Sequence, residues 1–183
     1  KAFDFEYVDQ DKVYHLEKGY TPIRFAQDYV GDALSRMVSI INAPTQDKPF
    51  HKTFTVKLLG NVVGGKGVKY LNLPMDEFKQ AVIAQLQDGK VVWFGSDVGK
   101  FGEREKGIWD DGCFDFETLT GLDLDLSKED ALNCWFAAMN HAMVLTGVNL
   151  DENGKPTRWK IENSWGDKNG AKGYYVCSDS WFD

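Results

Sequence analysis

Residues 140–166 read NHAMVLTGVNLDENGKPTRWKIENSWG, two apolar segments on either side of a tight turn. His141 opens the first segment, which is apolar enough to form a strand, and TRWKIE at 157–162 forms the second. Between them lies DENG at 151–154. Asn-Gly is a strong hairpin signal because both residues accept the positive φ of a type I′ turn. The stretch therefore predicts an antiparallel β-hairpin, and GYYVCS at 173–178 predicts a further strand after it.

The polar ends of this hairpin, His141 and Asn163, are its chemically interesting residues. Taken alone, His141 would be interpreted as a structural histidine and Asn163 as a turn residue. Symmetric pairing about Asn153-Gly154 sets residue i opposite residue 307 − i, so Asn163 faces Val144. Asn163 then misses His141 by three residues, roughly 10 Å at the rise of a strand. A longer loop or a bulge would bring them together, so the spacing permits contact without requiring it.

The rest of the chain predicts helices mixed with strands. Thr21-Pro22 is a capping residue followed by proline, and apolar residues at helical spacing up to Ile41 predict one packing helix. Two more helices are predicted, from about Pro74 to Asp88 and from Ser127 to about Ala138.

The remaining predicted strands are HKTFTVKLL at 51–59, VKYLNL at 68–73 and VVWFG at 91–95, which reads as buried. Residues 99–126 are predicted to form a long irregular connection. Sequential antiparallel strands with a few helices favour an α+β domain with a curled sheet, in one continuous unit over residues 1–183.

Composition excludes several classes of function. The chain has 183 residues and a net charge of −7, and residues 103–130 hold ten acidic side chains against three basic ones. A solvated acidic segment is the simpler interpretation, and an acidic wall that attracts cationic ligands is the alternative. Because either would repel phosphates, we expect no nucleic-acid partner. No apolar run approaches the ~20 residues that span a bilayer, so we expect no membrane partner.

Cysteine usage favours a reducing compartment. The three cysteines, Cys113, Cys134 and Cys177, contain no C-x-x-C pair, which argues against a disulfide framework and against a zinc site. We therefore expect a cytoplasmic protein. The start KAFDFEYVDQ has neither an initiator Met nor the regions of a signal peptide, so a processed product or a piece of a longer protein is expected.

Other site motifs fail on inspection. GNVVGGKG at 60–67 is one residue short of a phosphate-binding loop, and a predicted strand follows it instead of a helix, so a glycine-rich turn is favoured. His15, His51 and His141 are far apart and form no metal motif. Phe94 occupies the first position of the G-x-S-x-G motif around Ser96, and no spacing singles out a pair of carboxylates. We expect no metal and no cofactor.

The hairpin and the residues after it, to Phe182, resemble the C-terminal third of the papain superfamily of cysteine peptidases. The match of N-S-W-G after a His-led apolar strand is highly specific. TPIRFAQDYVGDALSRMVSIINAP, KTFTVKLLGNVVGG and VVWFGSDVGKF resemble the branch of bleomycin hydrolase and bacterial aminopeptidase C. The resemblance covers nearly the whole chain. It implies a papain-like fold, chiefly the antiparallel barrel-like half that carries the catalytic His and Asn, with flanking helices.

The resemblance also implies a cysteine-type aminopeptidase with a Cys-His-Asn mechanism. His141 would be the general base and acid that holds a cysteine as thiolate, Asn163 would orient its ring, and Trp165 would cover their hydrogen bond. The implied substrates are peptides with a free N-terminus. The implied parent is a homohexamer with an internal cavity, where acidic residues 103–130 would attract N-terminal ammonium groups.

The nucleophile has no counterpart in the chain. The family uses a Cys that opens a buried helix in its N-terminal half, whereas Cys113, Cys134 and Cys177 lie elsewhere and are interpreted as packing residues. Cys134, seven residues before His141, is the least unsuitable substitute. We therefore expect the C-terminal portion of a peptidase, inactive alone, whose partner is the absent Cys-bearing N-terminal half. The alternative is a non-catalytic papain-like binding module.

Overall fold

The computed structural model describes residues 1–60 and 62–183. Contacts along the chain group into two compact units, Lys1–Ser39 and Ile40–Asp183. The single unit expected over residues 1–183 stays a prediction. Within the described residues, no helix has both the length and the apolar character needed to cross a membrane.

The first unit is a hairpin followed by short helical turns. Strands β1 (Phe3–Val8) and β2 (Tyr14–Tyr20) pair antiparallel. Helix α1 (Pro22–Phe25), a π-helical turn (Ala26–Val30) and helix α2 (Ala33–Arg36) follow. A cluster of aromatic rings with centroids 5.0–6.4 Å apart joins the hairpin to the turns, formed by Phe5, Tyr20, Phe25 and Tyr29.

The single helix predicted up to Ile41 is wrong beyond its first turns. Its start is confirmed, since Thr21 Oγ1 accepts a hydrogen bond from the Arg24 amide at 3.2 Å. Gly31 then adopts a φ of 55°, which glycine tolerates without steric cost, and the regular helix is interrupted there. The stripe expected to pack is also wrong at five positions, because the side chains of Ile23, Ala26, Leu34, Met37 and Val38 are exposed.

A small sheet opens the second unit. Strands β3 (Ser39–Ile41), β4 (Thr53–Phe54) and β5 (Tyr70–Asn72) lie in the order β3-β5-β4. Fully buried Asn72 ties the preceding loop to β5: its Nδ2 donates to the carbonyls of Ala43 and Lys48 at 2.9 and 2.7 Å, and its Oδ1 accepts from the Ala43 amide at 2.9 Å. This one side chain therefore holds the Ala43 and Lys48 part of the loop, in addition to the backbone hydrogen bonds that join Asn72 to His51 and Lys52.

The segment between β4 and β5 is less regular than expected. The strand predicted over 51–59 stops at β4, and Leu58 adopts a φ of 66°. In the glycine-rich segment 60–67, residue 61 lies outside the described residues. Gly65 donates its N–H to the Val62 carbonyl at 3.0 Å, a turn that is followed by β5 and not by the helix that a phosphate-binding loop needs.

The main sheet has six strands. They are β6 (Val92–Ser96), β7 (Gly102–Glu103), β8 (Ile108–Trp109), β9 (His141–Leu150), β10 (Pro156–Glu162) and β11 (Tyr174–Ser178), in the order β6-β9-β10-β11-β8-β7. The strands pair antiparallel except β8 with β11. Strands β6, β9, β10 and β11 were predicted. Strands β7 and β8 lie inside the segment predicted to be irregular.

Side chains along the strands alternate between the two faces of the main sheet, and those on one face form the core. Leu145, Trp159, Ile161, Tyr175 and Cys177 have at most 1% of their surface exposed. Helix α3 (Met75–Gln87), confirmed as predicted, adds Val82 to this cluster. Strand β6 is not fully buried as predicted, because the exposed fraction of Trp93 is 75%.

Three short helices complete the second unit: α4 (Phe116–Thr120), α5 (Lys128–Asn133) and α6 (Asp179–Phe182). The predicted cap of α5 is confirmed, since Ser127 Oγ accepts from the Asp130 amide at 3.1 Å. The helix ends well before Ala138, and Trp135 soon after adopts a φ of 61°.

Candidate active site

The β9–β10 hairpin contains a register shift that moves its two polar ends one residue closer. Trp159 pairs with Val148, as symmetric pairing about the Asn-Gly turn predicts, but Ile161 pairs with Leu145. Thr146 is therefore the additional residue of a β-bulge in β9. A bulge was one of the two routes to contact that the sequence left open. It moves Asn163 from the level of Val144 to that of Met143, and the side chains of Asn163 and His141 span the remaining two residues.

His141 and Asn163 are in contact. Imidazole Nε2 lies 2.8 Å from Asn163 Oδ1. The same Oδ1 accepts from the Ser164 amide at 2.8 Å, which fixes the orientation of the carboxamide, so the imidazole is the donor. The Asn163 backbone is anchored in turn by its N–H, which donates to the Gly173 carbonyl at 3.1 Å.

This contact decides which ring nitrogen of His141 can do chemistry. A neutral imidazole that donates from Nε2 carries its proton there and leaves Nδ1 as a base. Within residues 1–60 and 62–183, the only hydrogen-bond partner of the ring is Asn163. Nδ1 is therefore free to take a proton from an incoming group.

Trp165 covers the imidazole. Its ring stacks on His141 with centroids 4.8 Å apart and an interplanar angle of 25°. Trp109 and Tyr175 hold it edge-on, with centroids at 6.1 and 5.8 Å. The guanidinium carbon of Arg104 lies 4.4 Å from the centroid of the Trp165 ring. The indole is thus fixed by large neighbours, and it excludes water from one face of the imidazole.

A carboxylate that sequence reasoning missed organises the backbone just before His141. Asp97 follows β6 and accepts from Asn140 Nδ2 at 2.7 Å, from Lys100 Nζ at 2.7 Å, and from the amides of Gly99 and Ala138 at 3.0 and 3.3 Å. Burial raises its pKa, but these hydrogen bonds lower it more, so the pKa lies below its ordinary value. No motif marks this residue, since an Asp after a strand is usually a turn residue.

A cleft of ≈ 510 Å³ adjoins Trp165 and Asn140. It lies in the second unit, between the Trp165 ring and the loop that follows β6. Its walls include Val98, Phe101 and Arg104. Its volume is in the range of small-ligand pockets, about 300–1,000 Å³.

The cysteines do not join the site. Cys177 is fully buried, as the packing interpretation predicts, and burial raises the pKa of its thiol to about 12. Cys113 and Cys134 are exposed, so the packing interpretation is wrong for them. Among the described residues, none of the three is within hydrogen-bonding distance of His141.

The other histidines have separate partners. His15 Nε2 lies 2.7 Å from an Asp9 carboxylate oxygen, and His51 Nε2 lies 2.9 Å from one of Glu77. In the part of the chain that the structure describes, no three His, Cys, Asp or Glu side chains are grouped so as to hold a metal ion. Residues 111–127 of the acidic segment are exposed throughout, as the solvated-segment interpretation predicts.

Comparison with known proteins gives one consistent result. The sequence model of the family described as Peptidase C1-like matches residues 1–183. Aminopeptidase C of Streptococcus thermophilus is 54% identical over 183 residues, which are 100% of this chain and 41% of that protein. Aminopeptidase C of Lactobacillus delbrueckii subsp. lactis is 53% identical, over 100% of this chain and 40% of that protein.

A solved structure agrees. The crystal structure of PepW from Lactobacillus rhamnosis HN001 superposes with a TM-score of 0.93 at 52% identity, over 100% of this chain and 41% of that one. The predicted α+β, papain-like fold is confirmed. The chain spans about two fifths of the length of the relatives it matches.

Proposed function

The chain belongs to the Peptidase C1-like family, and on that premise we propose that it supplies the acid–base half of a cysteine-type aminopeptidase. His141 is the general base and acid, Asn163 orients its ring, and Trp165 shields their hydrogen bond. The nucleophilic thiol comes from the Cys-bearing N-terminal portion of the same protein. Residues 1–183 alone are therefore inactive.

The contact between His141 and Asn163 is the observation that carries this proposal. At 2.8 Å, the carboxamide oxygen holds the Nε2 proton and leaves Nδ1 as the only basic nitrogen of the ring. A neutral carboxamide does this without burying a second charge. Positioned acid–base catalysis of this kind contributes ~10²–10⁴ in rate.

The chemistry follows from the free Nδ1. It takes the proton of the thiol, and the imidazolium that forms stabilises the thiolate. The thiolate attacks the carbonyl of the first peptide bond, and the imidazolium returns the proton to the leaving amine as the C–N bond breaks. Water then attacks the thioester, giving its proton to Nδ1, and the thiol leaves with that proton. The free amino acid and the shortened peptide are the products.

Substrates are peptides with a free N-terminus. The support is that the relatives from S. thermophilus and L. delbrueckii, 54% and 53% identical, are named Aminopeptidase C. The acidic side chains of residues 103–130 favour an ammonium group over an anion at long range.

Complementation tests the proposal. The purified chain is assayed with an aminoacyl fluorogenic substrate alone and after co-expression with the N-terminal portion of S. thermophilus Aminopeptidase C. We expect no turnover alone, turnover when complemented, and loss of that turnover in His141→Ala. Turnover by the chain alone that thiol alkylation blocks would place the nucleophile within residues 1–183 and overturn the proposal. Peptide binding without turnover in the complemented protein would favour a non-catalytic binding module.

We propose further that the assembled protein is a cytoplasmic homohexamer. The support for the hexamer is the resemblance to the bleomycin hydrolase branch. The support for the compartment is that all three cysteines are free. Light scattering on the complemented enzyme should give six copies of each portion, and a dimer or a monomer contradicts this. Recovery of the native protein mainly in a secreted fraction contradicts the compartment.

A further inference from the structure

The cleft beside Trp165 has a distinctive lining. Its walls carry the apolar side chains of Val98, Phe101, Trp109 and Phe114 beside polar surface of similar extent, and the glycines at 99 and 102 keep side chains out of its edge. Among the described residues, Arg104 is the one charged residue that lines it. A cleft with apolar side chains and a single convergent charge is typical of a site that recognises one polar group.

The guanidinium of Arg104 is available for a ligand. Among the residues that the structure describes, no carboxylate oxygen lies within 4.0 Å of it. The neighbouring Glu103 is directed elsewhere: one oxygen accepts from the Glu105 amide at 2.9 Å and the other lies 4.0 Å from Lys106 Nζ. The guanidinium carbon lies over the Trp165 ring, and among the described residues the N–H donors of the guanidinium have no hydrogen-bond partner.

The cleft also adjoins the proposed acid–base centre. The Trp165 ring that Arg104 contacts at 4.4 Å is the ring that stacks on His141 at 4.8 Å. Asn140, next to His141 in the chain, contributes to the lining. The proposed mechanism protonates the leaving amine from His141, so the leaving part of the peptide lies on this side of the scissile bond. An extended residue spans about 3.4 Å, so Arg104 is within reach of the first or second leaving residue.

We propose that this cleft receives the leaving side of the peptide and that Arg104 selects a carboxylate there. The carboxylate is either the C-terminal group of a short peptide or an Asp or Glu side chain. The inference rests on the proposed function for the direction of the peptide. The acidic surroundings oppose anions at long range, so selectivity arises from charge-assisted hydrogen bonds at close contact.

Binding to the isolated chain tests the selection. Four probes are titrated into ¹⁵N-labelled protein: N-acetylglycine, N-acetylglycinamide, N-acetylglutamic acid 1-amide and N-acetylglutamine amide. The first and third carry a terminal and a side-chain carboxylate, and the second and fourth are their neutral matches. We expect at least one carboxylate probe to bind about tenfold more tightly than its neutral match. It should shift the Arg104 Nε–H and Trp165 indole N–H signals, and the two pairs tell which carboxylate source is preferred.

Two variants make the test specific. Arg104→Gln should remove the tenfold difference. Lys106→Gln removes the same charge two residues away, outside the cleft lining, and should keep the difference. The inference is overturned if each carboxylate probe binds no more tightly than its neutral match. It is also overturned if Arg104→Gln and Lys106→Gln reduce the difference in affinity equally.

The proposed function can fail separately. The titration needs no turnover, so it stands if complementation gives no activity. In the complemented enzyme, the ratio of kcat/KM for Ala-Glu-amide over Ala-Gln-amide, or for Ala-Gly over Ala-Gly-amide, should fall in Arg104→Gln. Carboxylate binding with no effect of Arg104 on either ratio would mean that the cleft is not on the leaving side and would overturn that part.

Discussion

At the scale of single residues, the carboxamide oxygen of Asn163 fixes the proton of His141. Asn163→Ala removes the acceptor that lies 2.8 Å from Nε2, so the neutral ring should populate both tautomers. We expect the slowly exchanging Nε2–H signal to disappear from the NMR spectrum of the ¹⁵N-histidine-labelled chain. In the complemented enzyme, kcat/KM should fall about 10²-fold.

The other two histidines control for this change. The signals of His15 and His51, which pair with Asp9 and Glu77, should be unaffected by Asn163→Ala. A persistent, protected Nε2–H of His141 in the variant would show that another group holds the proton.

Cys177 allows a second residue-scale prediction. With its pKa raised to about 12 by burial, only about 10⁻⁴ of the thiol is ionised at pH 8, and the thiolate is the reactive form. Iodoacetamide at pH 8 should add to Cys113 and Cys134 in the folded chain and to all three cysteines in urea, as read by intact mass. Rapid alkylation of Cys177 in the folded chain would contradict its burial.

Single residues also show where sequence reasoning stops. The grouping of His141, Asn163 and Trp165 was expected from the resemblance carried by an N-S-W-G segment after a His-led strand, whereas the spacing alone only permitted it. Asp97 and Arg104 were not expected. Their significance depends on the path of the chain after β6, which carries no repeat, periodicity or capping signal.

At the scale of elements, Asn72 holds the loop before β4 against β5. Asn72→Ala removes three hydrogen bonds between this fully buried side chain and part-buried backbone groups, and leaving such groups unsatisfied is costly. We expect the free energy of unfolding to fall by roughly 2–4 kcal/mol, measured by urea denaturation.

Asn149→Ala is the matched control for this prediction. Asn149 is exposed on β9, and its Nδ2 donates to Thr157 Oγ1 at 2.7 Å. Because water can replace that partner, the loss should be less than about 0.5 kcal/mol. Equal losses in the two variants would mean that the Asn72 network does not hold the loop.

Elements with a strong local signal were predicted well. Helix α3 and the β9–β10 hairpin have clear periodicity and recognisable ends. Strands β7 and β8 have two residues each and exist only because they pair with each other and with β11, so local pattern could not reveal them. The prediction of one long helix in the first unit was wrong because it gave more weight to the spacing of apolar residues than to Gly31. The positive φ of Gly31 interrupts the helix.

At the scale of the whole molecule, stability should decline in acid. Burial raises the pKa of Asp97, but hydrogen bonds from Lys100, Gly99, Ala138 and Asn140 bring it below the ordinary 3.8. A carboxylate with a depressed folded-state pKa stabilises the protein above its unfolded-state pKa, and this contribution is lost as pH falls through the folded-state pKa. The urea concentration at the unfolding midpoint should therefore fall between about pH 5 and pH 2. In Asp97→Asn this midpoint should fall less over the same range, because the variant has already lost the contribution of the carboxylate.

Asp167 provides the comparison for this measurement. It is exposed and has no recorded hydrogen bond among the described residues, so Asp167→Asn should keep the midpoint of the wild type at each pH. If the urea midpoint of Asp97→Asn falls with pH in parallel with that of the wild type, Asp97 is not a source of the acid sensitivity.

The bulge at Thr146 has a consequence for how this hairpin can change in length. Successive residues of a strand face opposite sides of a sheet, so one extra residue turns every side chain beyond it to the other side unless a bulge accommodates it. Because of the bulge, Met143 and Leu145 share the core side with Trp159 and Ile161. Deleting Thr146 would set Leu145 next to Gly147, opposite Ile161 and Lys160 in a regular ladder, so Met143, Leu145 and His141 would keep their present sides of the sheet. A single-residue insertion or deletion elsewhere between His141 and the turn would instead need an added bulge, or the loss of this one, to keep that arrangement.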